Sequence, residues 1–440
     1  MKLRMGWILG VLLPVALLAQ GEETLTLDQC KDIALNRNSE LVQSRLQLKM
    51  TARDEISAFS NFLPTVSGSM GYNHSVAGPS SALRIDPQSG ILVPVRDQTV
   101  KSWSSSAGLN AQQMLFNGST IFGFAQATHL KGSAVASADA TRQSVILQVM
   151  EAYHNLLKKE KLLQAQEETL KQWEESYKRY ETLYQVGKVP KSDVLKAKVQ
   201  LENARLALIQ AQSDLTMAGA GLNHVLGFSV DRKIRALDNL TPVEELTPYD
   251  AALEKALAAH PALRKSRSDV KASKAALLST SSRFLPSVYG NAGYSWNNEK
   301  FDQVKNMLDT DYNWYMGVSL SLPIFQGFSR IANVSRSNLQ VQSARESLAQ
   351  TERDVALSLH QAYASVQLAR QQMAVTKDSE AAAEEDLRLN QEKYDLGSGT
   401  MLELITSQAA FTTARNGAIQ ARYDYMTAVA QLQKAMGVLN

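Results

Sequence analysis

The stretch FLPTVSGSMGY (residues 62–72) returns later in the chain as FLPSVYGNAGY (residues 284–294), with seven of eleven residues identical. The two stretches lie 222 residues apart. Downstream, Phe116-Asn117-Gly118 is matched by Phe325-Gln326-Gly327. The spacing of this second match is 13 residues shorter, so the first copy carries a longer segment between its two matched stretches. A consistent series of matches at nearly constant spacing indicates an internal repeat of about 200 residues.

The repeat, together with the N-terminus, divides the chain into four parts. Lys2 and Arg4 precede an apolar run and a small-residue exit, the pattern of a secretory signal peptide. Two prolines, Pro242 and Pro248, interrupt regular structure between the copies. We therefore expect a signal peptide at 1–20, a first repeat at 21–227, an inter-repeat linker at 228–248 and a second repeat at 249–440.

The helices of each repeat follow from the absence of helix breakers and from apolar periodicity. Residues 133–186 and 328–396 contain neither glycine nor proline, and apolar residues recur in them at sevens, as in coiled coils. Each repeat is predicted to start with a short helix. The further predicted helices lie at about 118–186 and 190–226 in the first repeat, and at about 327–396 and 400–437 in the second.

Four segments alternate apolar and polar residues, which is typical of strands with one apolar face. They lie at about 62–75, 102–116, 284–297 and 312–325. Each has roughly ten alternating residues with aromatic residues near its ends, the pattern of membrane β-barrel strands. The side chains predicted to face the membrane are Val66, Met70, Tyr72, Leu109, Val288, Tyr294, Trp296, Trp314, Val318 and Leu320.

Four strands are too few to close a barrel. An open sheet edge is costly in hydrocarbon, because its backbone groups lack hydrogen-bond partners. Other chains must therefore complete the sheet, and three copies would supply twelve strands. The residues alone predict a membrane α+β protein with four barrel strands per chain and long coiled-coil helices.

Composition and motifs argue against several other classes of protein. The net charge is only +3, which gives no argument for nucleic acid as a partner. The single cysteine, Cys30, excludes an internal disulfide, and the six histidines form no metal-ligand pattern. No nucleotide-binding loop or catalytic constellation stands in a suitable context. We expect no enzyme activity, no cofactor and no metal site.

These features together resemble the TolC-like outer membrane efflux protein family over about residues 24–440. The resemblance is carried by the duplicated FLP-x-V-x-G-x-x-G-Y strands and Phe-x-Gly strand exits, and by two turns, LYQVGKVPKSDVLKAKVQLENARLAL (183–208) and KYDLGSGTMLELITSQAAF (393–411). It implies a homotrimer in outer membrane lipid, with a trimeric 12-stranded β-barrel continued by a long coiled-coil α-helical barrel in the periplasm. The choice of three copies rests partly on this resemblance. It also implies an exit duct for an inner-membrane pump, joined through a periplasmic adaptor (membrane fusion) protein, in efflux or type I secretion.

The two turns are the candidate mouth of the tunnel. Asp193 and Glu403 occupy equivalent repeat positions, so a trimer would present up to six carboxylates there. Such a cluster attracts cations and raises the pKa of its members. An acid in the first turn of a helix is also favoured by the helix dipole alone, and the sequence leaves both interpretations open.

The family pattern at these turns is matched only in part. Similar proteins carry a second acid three residues beyond the first, where this chain has Thr406. They also lock the mouth through a Tyr, an Arg and an Asp, which correspond in this chain to Tyr394, Gly399 and Asp193. With glycine in place of the Arg, a lysine (Lys188, Lys191 or Lys393) would have to supply the positive charge. Gly187 and Gly397 are predicted to end the long helices.

Three questions stay open at this point. A periplasmic coiled-coil adaptor or scaffold without a pore is the main alternative function, and a trimeric surface adhesin is a weaker one. The extended segment at about 74–102 either caps the barrel or lacks fixed structure. The sequence does not identify the substrate.

Overall fold

The computed structural model of the chain describes residues 23–79, 81–96, 99–239 and 246–439. They form two compact units, each assembled from distant parts of the chain. The first unit contains the described residues up to Leu46, Ala136–Arg264 and those from Gln350 onward; the second contains Gln47–Val135 and Lys265–Ala349. The predicted signal peptide at 1–20 lies outside the described residues.

Eight strands and eight α-helices follow one another along the described part of the chain. The first half contains β1 (Glu23–Leu25), α1 (Leu27–Arg37), α2 (Ser39–Ser60), β2 (Thr65–Ala77), β3 (Ser81–Ile85), β4 (Leu92–Arg96), β5 (Val100–Phe116), α3 (Gly118–Gln185) and α4 (Lys191–Leu226). The second half contains β6 (Ile234–Ala236), α5 (Tyr249–Ala259), α6 (Pro261–Ser281), β7 (Ser287–Asn298), β8 (Tyr312–Ser321), α7 (Ser329–Asp395) and α8 (Met401–Ala435).

The second unit contains an antiparallel sheet in the order β2-β5-β7-β8. Its register pairs Met70 with Ala107, Leu109 with Tyr294, and Val318 with Gly290. Because side chains alternate between the two faces of a strand, this register collects the apolar residues of all four strands on one face. The other face is lined mainly by serine, asparagine, glutamine and glycine.

Prolines set several strand ends at positions that differ from those expected. β2 and β7 each start at the residue after a proline (Pro64 and Pro286), three residues later than predicted. β8 ends at Ser321 and not near 325, because Pro323 has no N–H with which to continue a strand ladder. The duplicated FLP motif therefore marks the entry to each strand and is not part of it.

Contacts at the start of α3 explain why the sequence Phe-Asn-Gly stands between β5 and α3. The Asn117 side chain accepts a hydrogen bond from the Ser119 N–H (3.0 Å), which caps the helix, and donates one to the Tyr289 hydroxyl (3.0 Å). A Cβ at Gly118 would lie only 2.8 Å from Cβ of Ser282. Only glycine lets the start of α3 approach the turn that follows α6 this closely.

The predicted short helix of each repeat is instead a pair of helices. In the first repeat, Asn38 ends α1 and its side chain accepts hydrogen bonds from the N–H groups of Glu40 and Leu41, which starts α2. In the second repeat, Pro261 is the first residue of α6, a position where its missing N–H costs nothing. Asn38 in the first repeat and Pro261 in the second therefore explain the two breaks.

The core of the first unit contains a parallel pairing of β1 with β6 that was not predicted. Tyr153 of α3 is fully buried beneath it, and its hydroxyl lies 3.0 Å from the carbonyl oxygen of Leu25 and 2.8 Å from that of Leu237. The expected linker at 228–248 thus contributes a strand to the core. Burial raises the pKa of Tyr153 to about 12.

The predicted heptad seam is buried over only part of α3. Val149 and Leu156 are buried, whereas Tyr184 near the end of the helix is exposed. Near that end, Trp173 and Tyr180 are buried. Both belong to the predicted seam, in which they follow Leu170 and Tyr177 by three residues. No helix in the described ranges is long and apolar enough to cross a membrane.

Candidate functional site: the helix-to-helix turns

Two turns of similar geometry join the long helices to their successors. Gly187 follows α3 with φ +73°, and Gly397 follows α7 with φ +75°. The N–H of each glycine donates to the carbonyl of the tyrosine three residues before it, at 2.9 Å for Tyr184 and 3.0 Å for Tyr394. Such left-handed residues terminate helices, and they favour glycine.

Glu403 lies in a capping box at the start of α8. Its carboxylate accepts a hydrogen bond from the Thr400 N–H (2.7 Å), and the Thr400 hydroxyl accepts one from the Glu403 N–H (3.2 Å). The bonds from the Thr400 backbone and hydroxyl lower the pKa of Glu403. The rise in pKa expected from a carboxylate ring depends on neighbouring chains and stays a prediction.

The side chains of Asp193 and Thr406 have local partners on their own helices. The Asp193 carboxylate is 16% exposed and lies 3.5 Å from the ammonium of Lys196. The Thr406 hydroxyl donates to the carbonyl of Leu402 (2.8 Å), as a threonine within a helix commonly does.

Tyr394 packs against the other long helix. Its ring meets Tyr180 of α3 edge-to-face, with ring centroids 5.5 Å apart. Burial first, and the negative charge of Asp193 second, raise the pKa of Tyr394. Tyr394 and Asp193, the two lock residues that the sequence matches, are therefore close enough to interact electrostatically.

An ion pair beside these tyrosines was missed by sequence reasoning. The guanidinium of Arg179 on α3 lies 2.6 Å from the carboxylate of Asp395 on α7. The repeat contained a signal for it, because the counterparts of Arg179 and Asp395 in the other copy are uncharged, Leu389 and Gln185. A charged residue whose counterpart in the other repeat is uncharged is a candidate for a contact between the two repeats.

An arginine at position 399 would be crowded in this turn. A Cβ at this position would lie 3.0 Å from the Tyr394 backbone nitrogen and 3.1 Å from Cβ of Lys393. Of the three lysines considered as substitutes, Lys393 lowers the pKa of Glu403 by its charge. The cation that pairs across the two long helices is Arg179.

A small apolar cluster fixes the four helix ends relative to one another. It contains Trp173 and Tyr180 of α3, Ala197, Leu201 and Ala204 of α4, and Met401 and Leu404 of α8, with Leu387 and Tyr394 of α7 packed against it. Both turns therefore belong to one packed end of the first unit.

The residues predicted to face the membrane share one face of the sheet in the second unit. Seven of them are exposed: Val66, Met70, Tyr72, Leu109, Trp314, Val318 and Leu320. Val288 and Tyr294 are half-buried.

The prediction of a membrane-facing side chain is wrong for Trp296, whose side chain is 0% exposed. The short turn Phe301–Asn306 packs against β5 and β7, and the Tyr294 hydroxyl donates to the carbonyl of Met307. This turn thus covers the part of the apolar face around Trp296.

Among the residues that the structure describes, no three histidine, cysteine or acidic side chains are grouped as metal ligands.

Comparison with known proteins places the fold among outer membrane channels. The structure of the Campylobacter jejuni CmeC outer membrane channel superposes with a TM-score of 0.79 at 19% identity, covering 94% of this chain and 86% of that one. The chain is 24% identical to Outer membrane protein TolC of Vibrio cholerae serotype O1, over 76% of this chain and 77% of that protein. It is 22% identical to the alkaline protease secretion protein AprF of Pseudomonas aeruginosa, over 68% of this chain and 62% of that protein.

The profile of the family described as "Outer membrane efflux protein" matches residues 31–228 and 252–438. The chain belongs to this family. It is an exit duct of the outer membrane that extends into the periplasm, and its family is one of channels and not of enzymes. The family, the duct function and the location predicted from the sequence are confirmed.

Proposed function

We propose that three copies of this chain form the duct, with a 12-stranded barrel and a gate at the helix-to-helix turns. The observation that carries the proposal is the four-stranded sheet, which has two open edges, β2 and β8, and one exposed apolar face. If β8 of each copy pairs with β2 of the next, all edges are satisfied, as a membrane requires. The two repeats at 21–227 and 249–440, joined by 228–248, then each supply two strands and one long helix.

Exposed apolar side chains beside the β8 edge support contact with a neighbouring copy. Ile324 is 92% exposed, and Phe325 and Phe328 are nearly as exposed. They lie just beyond the end of β8, in the passage from the sheet to α7. An exposed group of large apolar residues is typical of an interface.

The polar face of the sheet would line the lumen. It carries Ser67, Ser69, Asn110, Asn291 and Ser319, with Asn291 donating a hydrogen bond to Ser319 (2.9 Å). A hydrated wall of this kind does not select among substrates. The relatives include a protease secretion protein as well as efflux proteins, so we assign no single substrate to the duct.

The turns would form the mouth. Asp193 and Glu403 would each occur three times there, and Gly187 and Gly397 would shape the tips that receive a periplasmic adaptor joined to an inner-membrane pump. Energy would come from the pump, and the duct would conduct passively. Tyr394, Arg179 and Asp395 would hold the long helices together in the closed state.

Single-channel recording tests this proposal. The purified trimer is inserted into a planar bilayer, and the parent is compared with Glu403→Gln and Asp193→Asn. Small cation-selective currents that lose selectivity in the variants would support a gated carboxylate mouth. A folded protein without channel activity would favour the scaffold alternative, and large unselective currents would contradict a gate at the turns.

A further inference from the structure

The longer first connection of the sheet contains a hairpin with an exposed apolar face. β3 and β4 pair antiparallel, with Leu83 opposite Pro94 and Ile85 opposite Leu92. These four residues share one face because pairs two positions apart point the same way. Leu83 and Ile85 are each 66% exposed, and Leu92 is also exposed.

The turn of this hairpin is closely defined. The Asp86 carboxylate accepts hydrogen bonds from the Ser89 hydroxyl (2.7 Å) and the Gln88 N–H (3.1 Å). The Gly90 N–H donates to the Asp86 carbonyl (2.9 Å), and Gly90 has φ +66°. A side chain that caps its own turn and a glycine in the left-handed region favour a fixed hairpin over a flexible loop.

A hairpin of two strands is only marginally stable in water without further packing. In the described part of the chain, neither β3 nor β4 packs extensively on another element. Its apolar face therefore needs a partner that the described residues of one chain do not supply.

We propose that the partner is the same hairpin from the two other copies, so that three hairpins meet and close the outer end of the duct. This inference rests on the proposed trimeric barrel. β2 and β5 pair from Thr65 and Gln112 to Ala77 and Val100, so the hairpin leaves the sheet at the end opposite the helices. In a trimer, all three hairpins would stand on one rim.

The hairpin is long enough to reach the axis of such a barrel. Twelve strands about 4.8 Å apart and tilted by about 40° enclose a radius of roughly 12 Å. The five steps from Ser81 to Asp86 span up to roughly 17 Å when extended. The reach therefore exceeds the radius.

The composition of this face favours protein over lipid as its partner. Its side chains are aliphatic (Leu83, Ile85, Leu92) and Pro94, whereas aromatic residues such as Tyr72 and Trp103 occupy the distal part of the main sheet. Tyr and Trp are the residues that mark a membrane interface. A small aliphatic surface fits instead around a three-fold axis.

Thiol labelling from outside the cell tests the closure. A Ser67→Cys variant in a Cys30→Ala background places a thiol on the polar face, and a bulky polyethylene-glycol maleimide is added to whole cells. We expect slow labelling, which Leu83→Ser with Ile85→Ser accelerates by on the order of tenfold. The matched control Val93→Ser, on the opposite face of the hairpin, should label as slowly as the parent. N-ethylmaleimide should label all variants, which shows that the thiol is reachable.

Fast labelling in the parent, or equal rates in the parent and the double variant, would overturn the proposal. A three-armed maleimide on Leu83→Cys provides the second measurement, in which a covalent trimer is expected for Leu83→Cys and none for Val93→Cys. Oligomeric state in detergent is measured alongside. A monomer there means that the trimeric barrel itself has failed, whereas a trimer without cross-links means that only the hairpin closure has failed.

Discussion

Glu403 combines two roles that act in the same helix turn. As the third residue of α8 it completes a capping box with Thr400, and as an acid at the turn it is a candidate for the mouth of the duct. Glutamine at this position keeps the capping geometry and removes the charge. The two roles are therefore separable by substitution.

We expect Glu403→Gln to reduce cation selectivity in the bilayer and to leave the melting temperature unchanged. Thr400→Ala should leave the cation selectivity unchanged and lower the melting temperature, because it keeps the Glu403 carboxylate and removes the helix cap. Loss of the cap should lower the free energy of unfolding by about 1 kcal/mol. Thermal unfolding and reversal potentials measured on both variants check this. Loss of stability without loss of selectivity in Glu403→Gln would assign the residue to the cap alone.

The buried His154 should make the free energy of unfolding depend on pH. It is 3% exposed on α3, its Nδ1 lies 3.1 Å from the Thr427 hydroxyl, and burial, with Lys31 as a second cause, lowers its pKa to about 4. A lowered pKa in the folded state means that the stabilisation is full above about pH 6.5 and is lost as the pH falls toward 4. The loss amounts to roughly 3 kcal/mol per chain.

Unfolding of the parent and of His154→Gln, measured between pH 7 and 4, tests this expectation. The variant should show a smaller dependence on pH. His224→Gln serves as the control, because His224 is exposed on α4 and its replacement should leave the pH dependence as in the parent. Parallel curves for the parent and His154→Gln would refute the assignment.

Among the elements, α3 is attached to α7 and to α8 in different ways. Toward α8, polar contacts recur along its length: Glu151 with Gln431 (2.8 Å), Lys158 with Asp424 (3.0 Å) and Glu168 with Arg415 (2.6 Å). Toward α7, the contacts of the turn region lie at the tip, Arg179 with Asp395 and Tyr180 with Tyr394. An opening movement that separates α7 from α3 at the tip would therefore break few bonds.

We predict that Arg179→Asp opens the mouth and raises conductance severalfold, because it replaces an attraction across α3 and α7 by repulsion. Combining it with Asp395→Arg should restore low conductance. The double-mutant cycle is measured by single-channel recording at low and high salt, since an exposed ion pair weakens as salt screens it. Arg205→Asp is the control, because Arg205 pairs with Glu202 on its own helix. Equal conductance in all four members of the cycle would exclude the pair from gating.

The sequence predicted the helices and strands because their periodicity continues over many residues. Proline and asparagine shifted the ends: β2, β7 and β8 stop or start at prolines, and Asn38 breaks the first short helix. The burial of Trp296 could not be predicted, because strand alternation gives the face on which a residue lies and not what packs on that face. Arg179 and Asp395 could not be paired from spacing, because their contact depends on how α3 packs on α7.

At the scale of the whole molecule, the open edges of the sheet and the exposed residues after β8 require the same explanation. Unpaired strand edges and exposed apolar side chains are both unfavourable in a single chain, and both would be covered if β8 paired with a neighbouring copy. Replacing Ile324, Phe325 and Phe328 by serine should then shift the protein from trimers toward monomers in detergent, because the apolar contact beside the edge is lost. Light scattering on the purified protein gives the oligomeric state. Val230→Ser is the matched control, because Val230 is an exposed apolar residue far along the chain from the sheet and its replacement should leave the trimer intact. A stable trimer in the triple variant would show that backbone pairing between β8 and β2 suffices to hold the copies together.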